Sequence, residues 1–378
     1  MTADHPILRL LLVEDDEEDL DLLIRSLPRH LDGFDLRWET CRDLDEAVER
    51  VSEQHYDIVV SDIYRDRTSP KKDLVRGDPR GTEIATRIRS QRFAAIVLFT
   101  NGTFPTEPSD GPFIKKADKS SGNDEIVSKL RELIATGVPG IARRLHDELD
   151  RYSGSYLWGF LESNWSSLAS AGLTATEVLE RLLRRRAAIQ MSRLDPSAAG
   201  STELDTVEGG EFYIHPPISA KELRLGELLR RRDGTEFRVI LTPHCHLTVQ
   251  PGRLSPKADF VLTARTVPAQ ELFVDDPVTG ATEDKQLKRL GGRFQSPADF
   301  GVPRGRYWFL PGFLEMPHLY VDLMQVESLK VSAVNDEYQS FAVLDTPFAE
   351  ALQSCFVRFY SAVGLPTVKP DRFRDLLP

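Results

Sequence analysis

The chain has 378 residues, 59 of them acidic and 48 basic, for a net charge of -11. That length is ample for two domains with separate cores, and the acidic balance argues against a nonspecific nucleic-acid coat while leaving room for a local basic patch. Three widely spaced cysteines (Cys41, Cys245, Cys355) form no disulfide framework, which suits a reducing cytosol. No apolar run approaches the roughly 20 residues of a membrane helix, and MTADHPILRLLLVEDD lacks the basic start of a leader, so the expectation is a cytoplasmic protein.

In chain order, residues 8–13 (LRLLLV) read as a buried strand that ends in Glu14-Asp15-Asp16. Residues 19–27 set Leu20, Leu23, Ile24 and Leu27 at helical spacing, and Pro28 ends the pattern. Residues 35–39 alternate as a half-buried strand, and a helix starting near Asp43 puts Leu44, Ala47, Val48 and Val51 on one face. Residues 56–62 (YDIVVSD) are a second buried strand, delivering Asp62 to its carboxyl end. A polar stretch, 65–80, holds Pro70 and Pro79; helix follows over 81–89, then a strand over 94–100 (AAIVLFT) ending in Thr100. Gly111-Pro112 leads into Phe113-Ile114 and Lys115-Lys116, and 123–134 closes as an amphipathic helix. Strands alternating with helices give an α/β fold with a doubly wound, parallel, five-stranded sheet.

Carboxylates meeting at one sheet edge repel unless neutralised, and an all-oxygen cluster suits a hard cation such as Mg2+. A lysine and a threonine beside them suit a phosphoryl group. In this order of elements, an acidic pair after strand 1, Asp62 after strand 3, Thr100 after strand 4 and a lysine after strand 5, residues 1–136 resemble the receiver domain of two-component response regulators, with their flavodoxin-like fold. The resemblance implies a phosphoprotein in a phosphorelay: Asp62 takes a phosphoryl group from a histidine kinase, Glu14 and Asp15 help hold Mg2+, and Tyr64 offers the metal its backbone carbonyl. It further implies that Thr100 reports the phosphate, Lys116 pairs with it, and Phe113 is the aromatic switch, with autophosphatase activity at most. Two features depart from the pattern: Ala117 follows Lys116 where receivers usually carry proline, with Lys115 as a rival lysine, and Asp62 and Thr100 stand 38 residues apart, the excess lying in 65–80. A pseudo-receiver that keeps the fold without the chemistry is the alternative.

Gly137-Val138-Pro139-Gly140 breaks the pattern, and 141–194 reads as a helical connector, the one net basic segment with 8 basic against 6 acidic residues. It suits a relay, a homodimer interface or a plain spacer. Arg184-Arg185-Arg186 after a Thr174 or Thr176 cap invites comparison with a DNA-binding helix-turn-helix, but no second helix follows clearly before Pro196, and a solvated basic face is the simpler reading. After a small, polar linker at 196–210, residues 211–378 read as a β-rich, barrel-like α+β output domain closed by a helix over 348–363, which Gly364-Leu365-Pro366 ends. Its most chemically suggestive run is Thr242-Pro243-His244-Cys245-His246, with His215 or His318 as further zinc ligands. Extended alternation would split His244 and His246 from Cys245, so polar loop residues with a buried cysteine are the plainer reading. A receiver-controlled nuclease or hydrolase is the corresponding alternative for this half.

Overall fold

The computed structural model describes residues 5–64, 80–101, 103–191, 207–217, 222–249, 256–272, 303 and 305–362. The polar stretch 65–79, most of the linker at 196–210 and the 364–366 helix stop lie outside the described residues. The chain divides into two compact units, 1–195 and 196–378, with the helical connector inside the first.

In the first unit, β1 (Ile7–Val13), β3 (Phe34–Cys41), β4 (Ile58–Asp62), β5 (Ala95–Thr100) and β6 (Ile114–Asp118) pair in parallel in the order β3-β1-β4-β5-β6. The side chains of β1 show why the sheet is doubly wound. Leu8, Leu10 and Leu12 join one core with Leu20, Leu23, Leu130 and Leu133 of α1 (Glu17–Ser26) and α4 (Asn123–Ala135). Leu11 and Val13 join another with Ala47, Val51, Ile84 and Ile88 of α2 (Leu44–Glu53) and α3 (Arg80–Gln91). A strand buried on both faces carries no polar alternation, which is why LRLLLV is continuous.

Local signals set the helix starts. The Asp16 side chain accepts from the Asp19 amide at 3.0 Å, and Asp43 caps α2 through the Asp45 amide at 2.8 Å. A sixth strand was not foreseen: β2 (His30–Leu31) pairs antiparallel with β3. Its two-residue turn is Asp32-Gly33, both at positive φ (47° and 87°), the backbone that a type I′ hairpin demands.

The break after α4 is narrower than the sequence suggested. Gly137, at φ +74°, ends one helix, and Val138, with Pro139 in its first turn, already begins α5 (Val138–Tyr156). A side chain at Gly140 would come within 2.8 Å of the Phe34 ring, so the start of α5 lies close against the first residue of β3. A π-helical turn over 157–162, then α6 (Ser163–Ser170) and α7 (Thr176–Met191), complete the unit.

The second unit holds a seven-stranded antiparallel sheet, β11-β12-β10-β9-β8-β13-β7. These are β7 (Tyr213–Ile214), β8 (Glu227–Arg231), β9 (Phe237–Ile240), β10 (Phe260–Pro268), β11 (Tyr307–Leu310), β12 (Leu319–Lys330) and β13 (Tyr338–Leu344). Neighbouring residues divide between its faces: Leu228 and Val239 pack under α10 (Phe348–Ser361), whereas Leu229 and Ile240 pack with Leu247 and with Val334 of α9 (Val331–Glu337). β8 and β13 escaped the sequence reading. GELLRRR has helix-forming residues and no alternation, and it becomes a strand because both its faces are covered.

Candidate functional site

The carboxyl ends of β1, β4 and β5 lie side by side where the strand order turns back on itself, the position at which open α/β sheets place ligands. There β1 runs into Glu14, fully buried, and β4 ends at Asp62, 5% exposed. The Asp62 Oδ1 atom accepts from the amides of Ile63 (2.6 Å) and Tyr64 (3.4 Å), which fixes the carboxylate on the strand's last turn of backbone. Glu14, Asp15 and Asp62 each bring one carboxylate oxygen within 4.8 Å of the others, and among the described residues this is the one such grouping of metal-binding side chains. Buried Thr100 ends β5, one residue past Phe99, the neighbour of Asp62 across the ladder.

The lysine at this site is Lys119, not Lys116. Its Nζ donates to Glu14 Oε2 and Asp62 Oδ2, both at 2.6 Å, and lies 3.4 Å from Asp19 Oδ2. The cause is the extent of β6: the strand continues through Lys115 and Lys116 to Asp118, with Ala117 as its fully buried residue, so the carboxyl edge arrives three residues later than the apolar pair Phe113-Ile114 suggests. Lys119 then opens a short turn (Lys119–Ser121) held by the Asp118 side chain on the Ser120 amide at 2.8 Å. Lys116 instead donates to the Pro105 carbonyl at 2.8 Å and lies over the Phe104 ring, and Lys115 pairs with Glu132 at 3.0 Å. The sequence signal that was passed over is the small apolar Ala117, which two lysines before it disguised as loop. Ser120 follows Lys119, so proline is absent from this position too.

Phe113 is likewise at the wrong end for a switch beside Asp62. Its carbonyl accepts from Ile96 at the start of β5, so it stands on the amino edge of the sheet, 38% exposed, edge-on to Phe93 at 5.5 Å. The aromatic that does reach the loop above the site is Tyr64, whose hydroxyl donates to the Thr103 carbonyl.

The charges are unbalanced by design of the burial. Burial pushes the Glu14 carboxyl up to about 7, the Asp62 charge pushes the same way, and Lys119 opposes both. Burial also raises Asp62 against the pull of Lys119. Burial works to lower the Lys119 ammonium, but Asp62 and Glu14 outweigh it, so it stays protonated above its usual range. One ammonium among Glu14, Asp15, Asp19 and Asp62 leaves negative charge over. Hard, all-oxygen donors with surplus charge fit a divalent cation of the Mg2+ type.

Gly81 fixes α3 to this edge. Its amide donates to the Ile63 carbonyl at 3.0 Å, and a Cβ there would fall 2.1 Å from the Asp62 carbonyl oxygen, so only glycine lets the helix start so close to the acidic residue.

The other candidates are not drawn together. His244, Cys245 and His246 are all exposed on a one-turn helix, α8 (His244–Leu247), rather than on an extended segment with the cysteine buried. His215 Nδ1 lies 2.7 Å from the Phe341 carbonyl on β13, and His318 Nδ1 accepts from the Gly312 amide of its own loop at 2.9 Å, so each is engaged by backbone. Arg184 pairs with Glu180 along α7, and Arg186 lies over the Tyr156 ring.

No protein-family model matches the chain, and no curated protein matches it. Several solved structures do. A two component transcriptional regulator AraC from Clostridium phytofermentans is 18% identical, over 36% of this chain and 98% of that one, at a TM-score of 0.27. Response regulator protein TrrA from Thermotoga maritima, crystallised in complex with Mg(2+)-BeF, is 25% identical over 33% of this chain and 97% of its own, at 0.25. Chemotaxis protein CheY4 from Vibrio cholerae is 19% identical over 34% and 98%, at 0.24. The receiver-like fold of the first unit follows from its own strand order.

Proposed function

We propose that the chain is a phosphorelay response regulator in which Asp62 accepts a phosphoryl group, with a histidine kinase as the donor class, and so switches an output module in residues 196–378. The observation that carries this reading is the convergence of Glu14, Asp15 and Lys119 on one buried aspartate at the carboxyl edge of a parallel sheet. In the transfer, an Asp62 carboxylate oxygen forms a bond to phosphorus as the donor's P–N bond breaks, and the leaving imidazole takes up the proton it needs from water. Glu14, Asp15 and Asp62, with the Tyr64 carbonyl, would hold a divalent cation, which would supply charge neutralisation on the phosphoryl oxygens. Lys119, already bound to Asp62, would move its ammonium to a phosphoryl oxygen, and the Thr100 hydroxyl would donate to another.

The added charge at Asp62 would draw the Lys119 ammonium away from Glu14 and bias the turn at 119–121 and the loop held by Tyr64. A second copy of the chain is a further partner that the helical segment invites. The exposure of His244, Cys245 and His246, with His215 and His318 engaged by backbone, gives the nuclease or hydrolase reading no comparable support.

Incubation of the full chain with acetyl phosphate and Mg2+, read on a phosphate-retarding gel, tests the proposal. A Mg2+-dependent retarded band that is lost in Asp62→Ala supports it. Absence of the band, together with no binding of beryllofluoride, would make the first unit a pseudo-receiver.

A further inference from the structure

The helical segment of the first unit leaves much apolar surface in water. Ten large apolar side chains between 141 and 191 are more than a third exposed, including Ile141 (46%), Leu145 (45%), Leu149 (37%) and Trp158 (71%). At roughly 200 Å² per full side chain, they present on the order of 1,000 Å².

Three of these residues form an ordered stripe. Ile141, Leu145 and Leu149 follow at i, i+4 and i+8 on α5, so they lie one above another on the helix. Charge along the same helix changes sign about Leu145: Arg143 and Arg144 precede it, and Asp147, Glu148 and Asp150 follow, with Arg151 beyond them. Arg143 and Asp147 pair with each other at 2.7 Å. Arg144 and Glu148 flank the stripe on one side, by helical spacing, and neither forms an ion pair among the described residues.

We propose that this stripe of α5 is a self-association surface on which a second copy of the chain docks antiparallel, with Leu145 near the twofold axis and Arg144 facing Glu148 of the second copy. A closed, isologous dimer needs a self-complementary patch. A stretch that is basic at 143–144 and acidic at 147–150 is complementary to itself only when reversed. Parallel pairing would instead put Arg144 of one copy and Glu148 of the other on opposite flanks of the seam, where they do not meet. The proposal does not rest on Asp62 being phosphorylated, and its test uses the unphosphorylated full chain.

Sedimentation velocity across the micromolar range is the measurement. The wild type is expected to dimerise and Leu145→Glu to run as a monomer, with an unchanged circular-dichroism spectrum because Leu145 is a surface residue. Arg144→Glu and Glu148→Arg should each weaken the dimer several-fold, and the two together should restore it. In a Cys245→Ser, Cys355→Ser background, Ile141→Cys should cross-link to Leu149→Cys of another copy and not to itself. A wild type that is monomeric throughout, a dimer that survives Leu145→Glu, or self-cross-linking of Ile141→Cys would each overturn the proposal. So would a monomer that co-sediments with anionic lipid vesicles, which would assign the stripe to a membrane surface.

Discussion

Replacing Lys119 by methionine keeps most of the side chain's bulk and removes its charge from a buried acidic cluster. The ammonium lies 2.6 Å from both Glu14 and Asp62, and the three side chains are 8%, 0% and 7% exposed. Removing one partner of a buried pair costs about 3–5 kcal/mol because the other charge is left without compensation. Set against a domain stability of about 5–15 kcal/mol, that is a large fraction. The sign of the pH dependence is fixed by the acids. Glu14 is held at about 7 against an ordinary 4.5, so its folded pKa is raised. A raised acid stabilises the fold at low pH and loses that contribution as pH rises through its folded value. The wild-type first unit, free of metal, should therefore lose stability between about pH 4.5 and 7. Lys119→Met should deepen that loss, with the full cost at pH 8 and less of it below about pH 4.5, where Glu14 is protonated. Mg2+ should offset it, by about 2.7 kcal/mol at a hundredfold excess over Kd. Urea titration with thiol labelling of buried Cys41 as the probe of this unit, in a Cys245→Ser, Cys355→Ser background, measures each arm. A neutral Lys119→Met at pH 8, or an equal loss in Lys116→Met, would refute the assignment of the charge balance to Lys119.

Gly81→Ala is expected to destabilise the first unit by about 1–3 kcal/mol and weaken Mg2+ binding, since backbone rather than a flexible side chain must yield; calorimetric titration of the variant checks both. Arg306 donates to both oxygens of fully buried Asp322, at 2.8 and 2.6 Å, so Arg306→Met should cost the second unit about 3–5 kcal/mol. Burial alone would raise the Asp322 carboxyl, but hydrogen bonds from Arg306, the Met324 amide and Gln325 hold it low, so this stabilisation is present at neutral pH and lost on acidification below the ordinary carboxylate range; hydrogen exchange of β12 peptides reads it. Replacing His244, Cys245 and His246 together by alanine should change stability by no more than about 0.5 kcal/mol, because all three are exposed, and a urea melt suffices to test it.

Residues 8–13 and 56–62 announce their strands because a parallel strand covered on both faces must be apolar throughout, and Glu14 and Asp62 stand out as the carboxylates that end such runs. The doubly wound order, the acidic edge and the start of α2 at Asp43 were legible for that reason: each depends on neighbours within a few residues. The site lysine was not. Which of Lys115, Lys116 and Lys119 reaches Asp62 depends on where β6 ends, and that is set by pairing with β5, in which Phe99 meets Ala117 and Thr100 meets Asp118. A shift in strand extent moves a side chain across the sheet edge, and the one local sign of it in FIKKADKS, Ala117, stands behind two lysines that read as loop. In the second unit, GELLRRR has the composition of a helix and folds as β8 because two layers of partners cover Leu228 and Leu229 from opposite sides. The sequence by itself determined which segments must be buried and which carboxylates they carry; the tertiary structure alone decided which cation meets them, because the free energy of a buried charge depends on neighbours that the chain brings from 57 and 105 residues away.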